Sequence, residues 1–142
     1  TRTEAAVLPL HTATIRLFLH VIAATVWVGG QLTLAGLVPT LPAVSPDAPR
    51  LAARQFNRIA WPAFGVLVLT GIWNVAEIDV SDRSTAYQVT LFVKLFLVAL
   101  SGIAAFLHTQ SRTKVGLAVW GAVGGLATVA ALFFGVWLRT GY

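Results

Sequence analysis

The sequence predicts an all-α integral membrane protein, an antiparallel bundle of four transmembrane helices that forms one domain over residues 1–142. Three observations predict it. Hydrophobic residues make up 57% of the chain and charged residues only 11%, with a mean hydropathy of +0.80, whereas soluble domains carry roughly a quarter charged residues. The charges are placed so that four long windows remain almost free of them, and a helix needs about 20 such residues to cross a bilayer core. The alternation expected of barrel strands is missing, and an open sheet edge cannot be satisfied in lipid. Soluble-enzyme classes are thereby excluded.

The first span covers about 12–38, interrupted only by Arg16 and His20 and stopped by Pro39 and Pro42. Ser45-Pro46-Asp47 then reads as a helix start, and Arg50, Arg54 and Arg58 recur every four residues. They line one face of a short interfacial helix over 46–58 and reach lipid phosphates. The second span, 59–76, lies between Arg58 and Glu77. The third, 86–108, is interrupted by Lys94 alone, and the fourth, 115–138, runs uncharged from Lys114 to Arg139. Short connections before and after the third span force antiparallel neighbours, so the order is up-down-up-down. Trp61, Trp120, Trp137, Tyr87 and Tyr142 fall near span ends, where amphipathic rings anchor helices at the headgroups. In the fourth span Gly121 and Gly125 stand four apart beside Gly124, a smooth face for close helix approach. That face serves either an internal contact or a seam for a homodimer or a larger membrane complex.

Lys and Arg number 10 against 5 Asp and Glu. In a membrane chain this excess marks the cytoplasmic side rather than a nucleic-acid partner. Loops 39–57 and 109–114 and their flanks hold Arg50, Arg54, Arg58, Arg112 and Lys114. The other side holds Arg2, Arg16, Arg83 and Arg139, offset by Glu4, Glu77, Asp79 and Asp82. The positive-inside rule puts the first set in the cytoplasm and both termini outside a multi-pass protein of the cell membrane. The polar start, Thr1 to Pro9, is not a cleavable signal pattern.

Cysteine and methionine are both absent, which removes thiolate chemistry, iron–sulfur clusters and the soft ligands that suit Cu(I). Interest therefore falls on ionisable residues inside the spans, which by default face a bundle interior and mark a site. His20 lies about eight residues into span one, and Lys94 about eight into span three, which enters from the same side. At 1.5 Å per residue both lie roughly 12 Å below the outer boundary, so they are expected to share one cavity. His20, Ala24, Trp27 and Gln31 follow helical spacing along one face. Lys94, Val98, Ser101, Ala105 and His108 do the same on span three, and Thr70 and Asn74 on span two. The small side chains among them leave room for a ligand.

A transmembrane four-helix bundle with an interior histidine suits b-type haem, whose iron takes imidazole and whose porphyrin needs an apolar slot. His108, about 20 Å deeper, and His11, higher on the same helix, are poorly placed to bind the opposite haem face. The iron is then five-coordinate, or Lys94 is its sixth ligand. Arg16, one turn above His20, is placed for a propionate. Trp27, Gln31 and Asn74 complete the expected cofactor-binding set. A competing expectation is extracytoplasmic copper held by His20 and His11 with Glu4, Glu77, Asp79 and Asp82. A third is an accessory subunit of a larger membrane complex.

The residues His20-Val21-Ile22-Ala23-Ala24-Thr25-Val26-Trp27-Val28-Gly29-Gly30 resemble the first helix of the copper-resistance D (CopD-like) membrane domain. Val66-Leu67-Val68-Leu69-Thr70-Gly71-Ile72-Trp73-Asn74 is similar to that family's second helix, and Phe92-Val93-Lys94-Leu95 to its third. The likeness covers Leu17 to His108. HemJ-type protoporphyrinogen oxidases are more distantly similar. Their first-helix His and third-helix Lys correspond by resemblance to His20 and Lys94, and their association with haem b implies the same cofactor here. The Trp27-Val28-Gly29-Gly30 run is closer to the copper-resistance pattern. If the chain is redox-active, a porphyrinogen or a quinone is its substrate.

Overall fold

A computed structural model of the chain describes residues 7–141; Arg2, Glu4 and Tyr142, to which the sequence assigns charge, donor and anchor roles, lie outside the described residues. Four helices are long and apolar enough to cross a membrane, which is the architecture of a multi-pass membrane protein. They are α1 (Thr12–Leu37), α2 (Ala48–Ala76), α3 (Thr85–Gln110) and α4 (Lys114–Thr140). Large apolar side chains are turned outward, as with Phe92 and Leu126 at 73% exposure and Leu69 at 69%. That arrangement is stable only where the surroundings are as apolar as the side chains.

The capping chemistry explains most of the boundaries. Ser84 accepts from the Tyr87 amide at the start of α3, and Thr113 accepts from the Gly116 amide at the start of α4, each satisfying one of the first-turn N–H groups that lack a helical partner. The start of α2 differs from expectation. The interfacial helix over 46–58 and the span over 59–76 are one continuous helix from Ala48, because nothing in Asn57–Trp61 breaks helical geometry. Pro62 inside it removes only one N–H, the one that would meet the Arg58 carbonyl. Trp61 therefore sits near the middle of α2 and not at its end, and its ring turns inward.

The helices form two antiparallel hairpins. In the first, Arg16 meets Asn74, His20 meets Thr70, Trp27 stacks on Phe64 at 4.4 Å and on Trp61 at 5.4 Å between ring centroids, and the Phe56 ring fills the space beside Gly30. In the second, Lys94 lies over Gly135, Ala104 over Gly124 and the His108 ring over Gly121. Gly121 and Gly124 thus serve a contact inside the chain, while the Cβ position of Gly125 is open. The hairpins meet along a narrower seam, where Ala105 packs on the aromatic cluster around Trp27 and the Phe64 ring covers Gly102.

Helix α1 carries a wider turn at its centre, Thr25–Gly29, in π geometry. The Thr25 hydroxyl donates to the Val21 carbonyl at 2.8 Å, and side chains beyond the turn are shifted around the axis relative to those before it.

A Cβ at Gly102 would stand 2.6 Å from the Phe64 ring, whereas one at Gly125 meets nothing within 4 Å. Gly102→Ala is expected to destabilise by ~1–3 kcal/mol through overpacking. Gly125→Ala should leave stability unchanged or raise it by up to ~1 kcal/mol, from the better helix propensity of Ala. Thermal unfolding of the two variants in detergent reads the difference.

Candidate functional site

The polar groups of the spans divide into an outer site on the first hairpin and a buried bridge between the hairpins. In the outer site the Arg16 guanidinium donates through Nε to Asn74 Oδ1 at 2.7 Å, pairs with Glu77 Oε1 at 3.7 Å and lies 5.8 Å from the centroid of the Trp73 ring. The Trp73 indole donates to the same Glu77 oxygen at 3.2 Å. Because the Arg16 side chain is only 14% exposed, it is a fixed member of the hairpin and not a residue reaching for lipid phosphate.

One turn deeper, His20 Nδ1 is 2.9 Å from Thr70 Oγ1. The Thr70 hydroxyl has a single proton, and it is directed to the carbonyls of Val66 at 2.7 Å and Leu67 at 3.2 Å. With that proton on a carbonyl, Thr70 accepts from the imidazole, the arrangement in which Nδ1 carries the ring proton. In that tautomer Nε2 keeps its lone pair. The ring packs beside Gly71, where a Cβ would make ordinary van der Waals contact with His20 Cε1 at 3.6 Å. An anchored Nδ1–H with a lone pair on Nε2 is the arrangement that orients a metal-ligating histidine.

Lys94 is half-buried on α3 and makes no hydrogen bond or ion pair among the described residues. A Cβ at Gly135 would stand 3.3 Å from Nζ, so the amine occupies room left by a missing side chain. His20 packs against Thr70 and Gly71 of α2 and Lys94 against Gly135 of α4, so their packing partners belong to different hairpins.

The bridge lies toward the bundle centre. The Trp27 indole donates to Ser101 Oγ at 3.0 Å, and Ser101 is hydrogen-bonded to Thr128 on α4. Ser101 and Thr128 are each 2% exposed. Trp27 packs on Phe64 and Trp61 of α2 and, beyond the π turn, also reaches Ser101 of α3 across the seam. Gln31 Nε2 is buried without a hydrogen-bond partner. Of the residues expected to bind a cofactor, the structure joins Arg16 with Asn74 and anchors His20. It packs Lys94 on Gly135 and assigns Trp27 to the bridge. The sequence reading missed Thr128, Gly135 and the grip of Trp73 on Glu77; the spacing of Asn74 and Glu77 was the available signal for the last.

His108 Nδ1–H donates to the Leu117 carbonyl at 2.9 Å, closing the inner end of the second hairpin, far from His20 along the helices. Among the described residues no three His, Asp or Glu side chains cluster as a metal site, so the copper donors expected from the sequence are not gathered there. An apolar hollow of about 240 Å³ on α1 and α2 is lined by Leu19, Ala23 and Val66 among others. Leu19 and Ala23 flank His20 in the helix, and Val66 is one turn from Thr70. Comparison with protein-family models, curated proteins and solved structures returned no match.

Removing the Ser101 hydroxyl leaves both the Trp27 indole and the Thr128 hydroxyl short of a partner. Ser101→Ala is expected to cost ~1 kcal/mol, the scale of interhelical hydrogen bonds in membranes. A red-edge change in tryptophan emission should accompany the loss, and an unchanged spectrum and melting curve would show that the bridge is not formed.

Proposed function

We propose that the chain is a CopD/HemJ-like membrane protein that binds haem b in the outer half of its bundle, with His20 as axial ligand. The observation that carries this reading is the Thr70-anchored imidazole, whose Nε2 is free to donate its lone pair. The residues fit the group in donor chemistry: one imidazole held by Thr70 and a cation one turn outward. Bound haem would supply one-electron chemistry.

The chain's own residues have separable tasks in this reading. Thr70 holds the imidazole in one tautomer, as outer partners of ligating histidines do. Arg16 keeps unused N–H donors after binding Asn74 and Glu77, and these would meet a propionate. Lys94 supplies an amine that serves as the second ligand or as a fixed positive charge near the porphyrin. Copper handling is the weaker alternative, since among the described residues no three of its donors cluster. A role as subunit of a dimer or larger complex would use the open Gly125 position.

Purified protein is expected to show a Soret band and sharp dithionite-reduced bands. His20→Ala should abolish them, and Thr70→Val should weaken haem retention about 10–100-fold, as losing the outer partner of a metal ligand does. Protein that stays colourless after haem reconstitution would end the proposal.

We further propose that the termini are extracytoplasmic and that loops 39–57 and 109–114 face the cytoplasm of a cell-membrane protein. The chain has no cysteine, so single cysteines at Ser45 and Thr113 report orientation directly. An impermeant maleimide added to intact cells should leave both unlabelled and should label a cysteine at Ser81.

A further inference from the structure

The first half of α2 carries a charged face that the outer site does not use. The helix begins at Ala48 and runs without a break into the membrane span, so Arg50, Arg54 and Arg58 stand on a rod that the bundle already holds. Arg50 is paired with Asp47 at 3.4 Å. Arg54 and Arg58 are exposed and make no hydrogen bond, ion pair or ring contact among the described residues.

The side on which these two arginines stand follows from the helix. Phe56 packs at Gly30 of α1, and Ala60 and Leu67 belong to the buried cluster around Trp27. At 3.6 residues per turn, Arg54 and Arg58 fall on the opposite side of α2, away from α1. Pro62, Gly65 and Leu69 continue that side toward the other end of the helix, and all three are exposed. Leu69 is 69% exposed, and a Cβ at Gly65 meets nothing within 4 Å. Two unpaired cations therefore head a strip of helix that is apolar, uncovered and, at Gly65, bare of any side chain.

The dimensions of the strip are those of a phospholipid. From Arg58 to Leu69 the helix rises about 16 Å, close to half of a ~30 Å hydrocarbon core and so to one leaflet. Arg54 and Arg58 are about 6 Å apart along the axis, which lets two guanidinium groups offer their N–H donors to one phosphate.

Charge then selects among phospholipids. Asp47 is the only acidic residue between Glu4 and Glu77, and Arg50 already holds it. The ammonium of a choline or ethanolamine headgroup meets cations here and no unpaired carboxylate. A headgroup whose sole charge is its phosphate meets attraction alone.

We infer that Arg54 and Arg58 bind the headgroup of one anionic phospholipid, with an acyl chain along Pro62, Gly65 and Leu69. Every phospholipid has a phosphate; what this arrangement adds is a preference for net negative charge. Neither Arg16 nor His20 takes part, so the binding does not depend on the haem reading.

The test is native mass spectrometry of the delipidated full chain in detergent, titrated with phosphatidylglycerol or with phosphatidylcholine of the same acyl chains. One phosphatidylglycerol per chain is expected, held roughly tenfold or more tightly than phosphatidylcholine. Joint replacement Arg54→Gln and Arg58→Gln should remove that preference, and Gly65→Leu, which covers the bare strip, should weaken phosphatidylglycerol binding. Joint replacement Arg112→Gln and Lys114→Gln, two further cations of the same end of the bundle, should leave the preference in place. All these positions are exposed, so melting curves should match wild type. Equal affinity for the two lipids in wild type, or an equal loss in both double variants, would overturn the proposal. So would displacement of the lipid by equimolar glycerol 3-phosphate, which would mark a site for a soluble phosphate instead.

Discussion

Two helical hairpins are tied into one bundle by a buried chain of hydrogen bonds, from the Trp27 indole to the Ser101 hydroxyl and on to Thr128. In lipid the apolar faces of helices gain little from meeting each other, because the acyl chains are as apolar as leucine. Close packing and interhelical polar contacts must then hold the parts together. The first hairpin has its aromatic cluster and the second its ladder of small residues. The bridge is where they register, since it fixes the level at which Phe64 meets Gly102 and Ala105 meets the Trp27 cluster.

That bridge depends on the π turn in α1. The wider turn stands between two contacts: His20 stays against Thr70 and Gly71 of α2, and Trp27, packed on Phe64 and Trp61, also reaches Ser101 of α3. Local departure from regular geometry thus gives one helix two contact faces at different depths.

The spans, their order and their antiparallel pairing were legible from the charge spacing, because lipid allows only helices whose backbone bonds are internal. That His20, Arg16 and Asn74 need partners within the bundle was legible too, since polar side chains inside a span must be satisfied. What was hidden depends on rotation and on absent atoms. Periodicity assumes a constant twist, so the π turn and the reach of Trp27 to Ser101 were not visible in it. Gly135 shows no pattern of its own, and its role appears only when Lys94 is found in the space it leaves. The extension of α2 back to Ala48 escaped because arginines mark where lipid begins, not where a helix does.

The uneven packing has a consequence for how the molecule can be divided. Each hairpin satisfies its own backbone, carries its own internal pairings and is joined to the other by the short turn through Val80–Asp82. A break in that turn severs no contact between helices. Two separately synthesised halves therefore hold all the information for reassembly, and the bundle is organised as a non-covalent dimer of unlike hairpins that happens to be encoded on one chain.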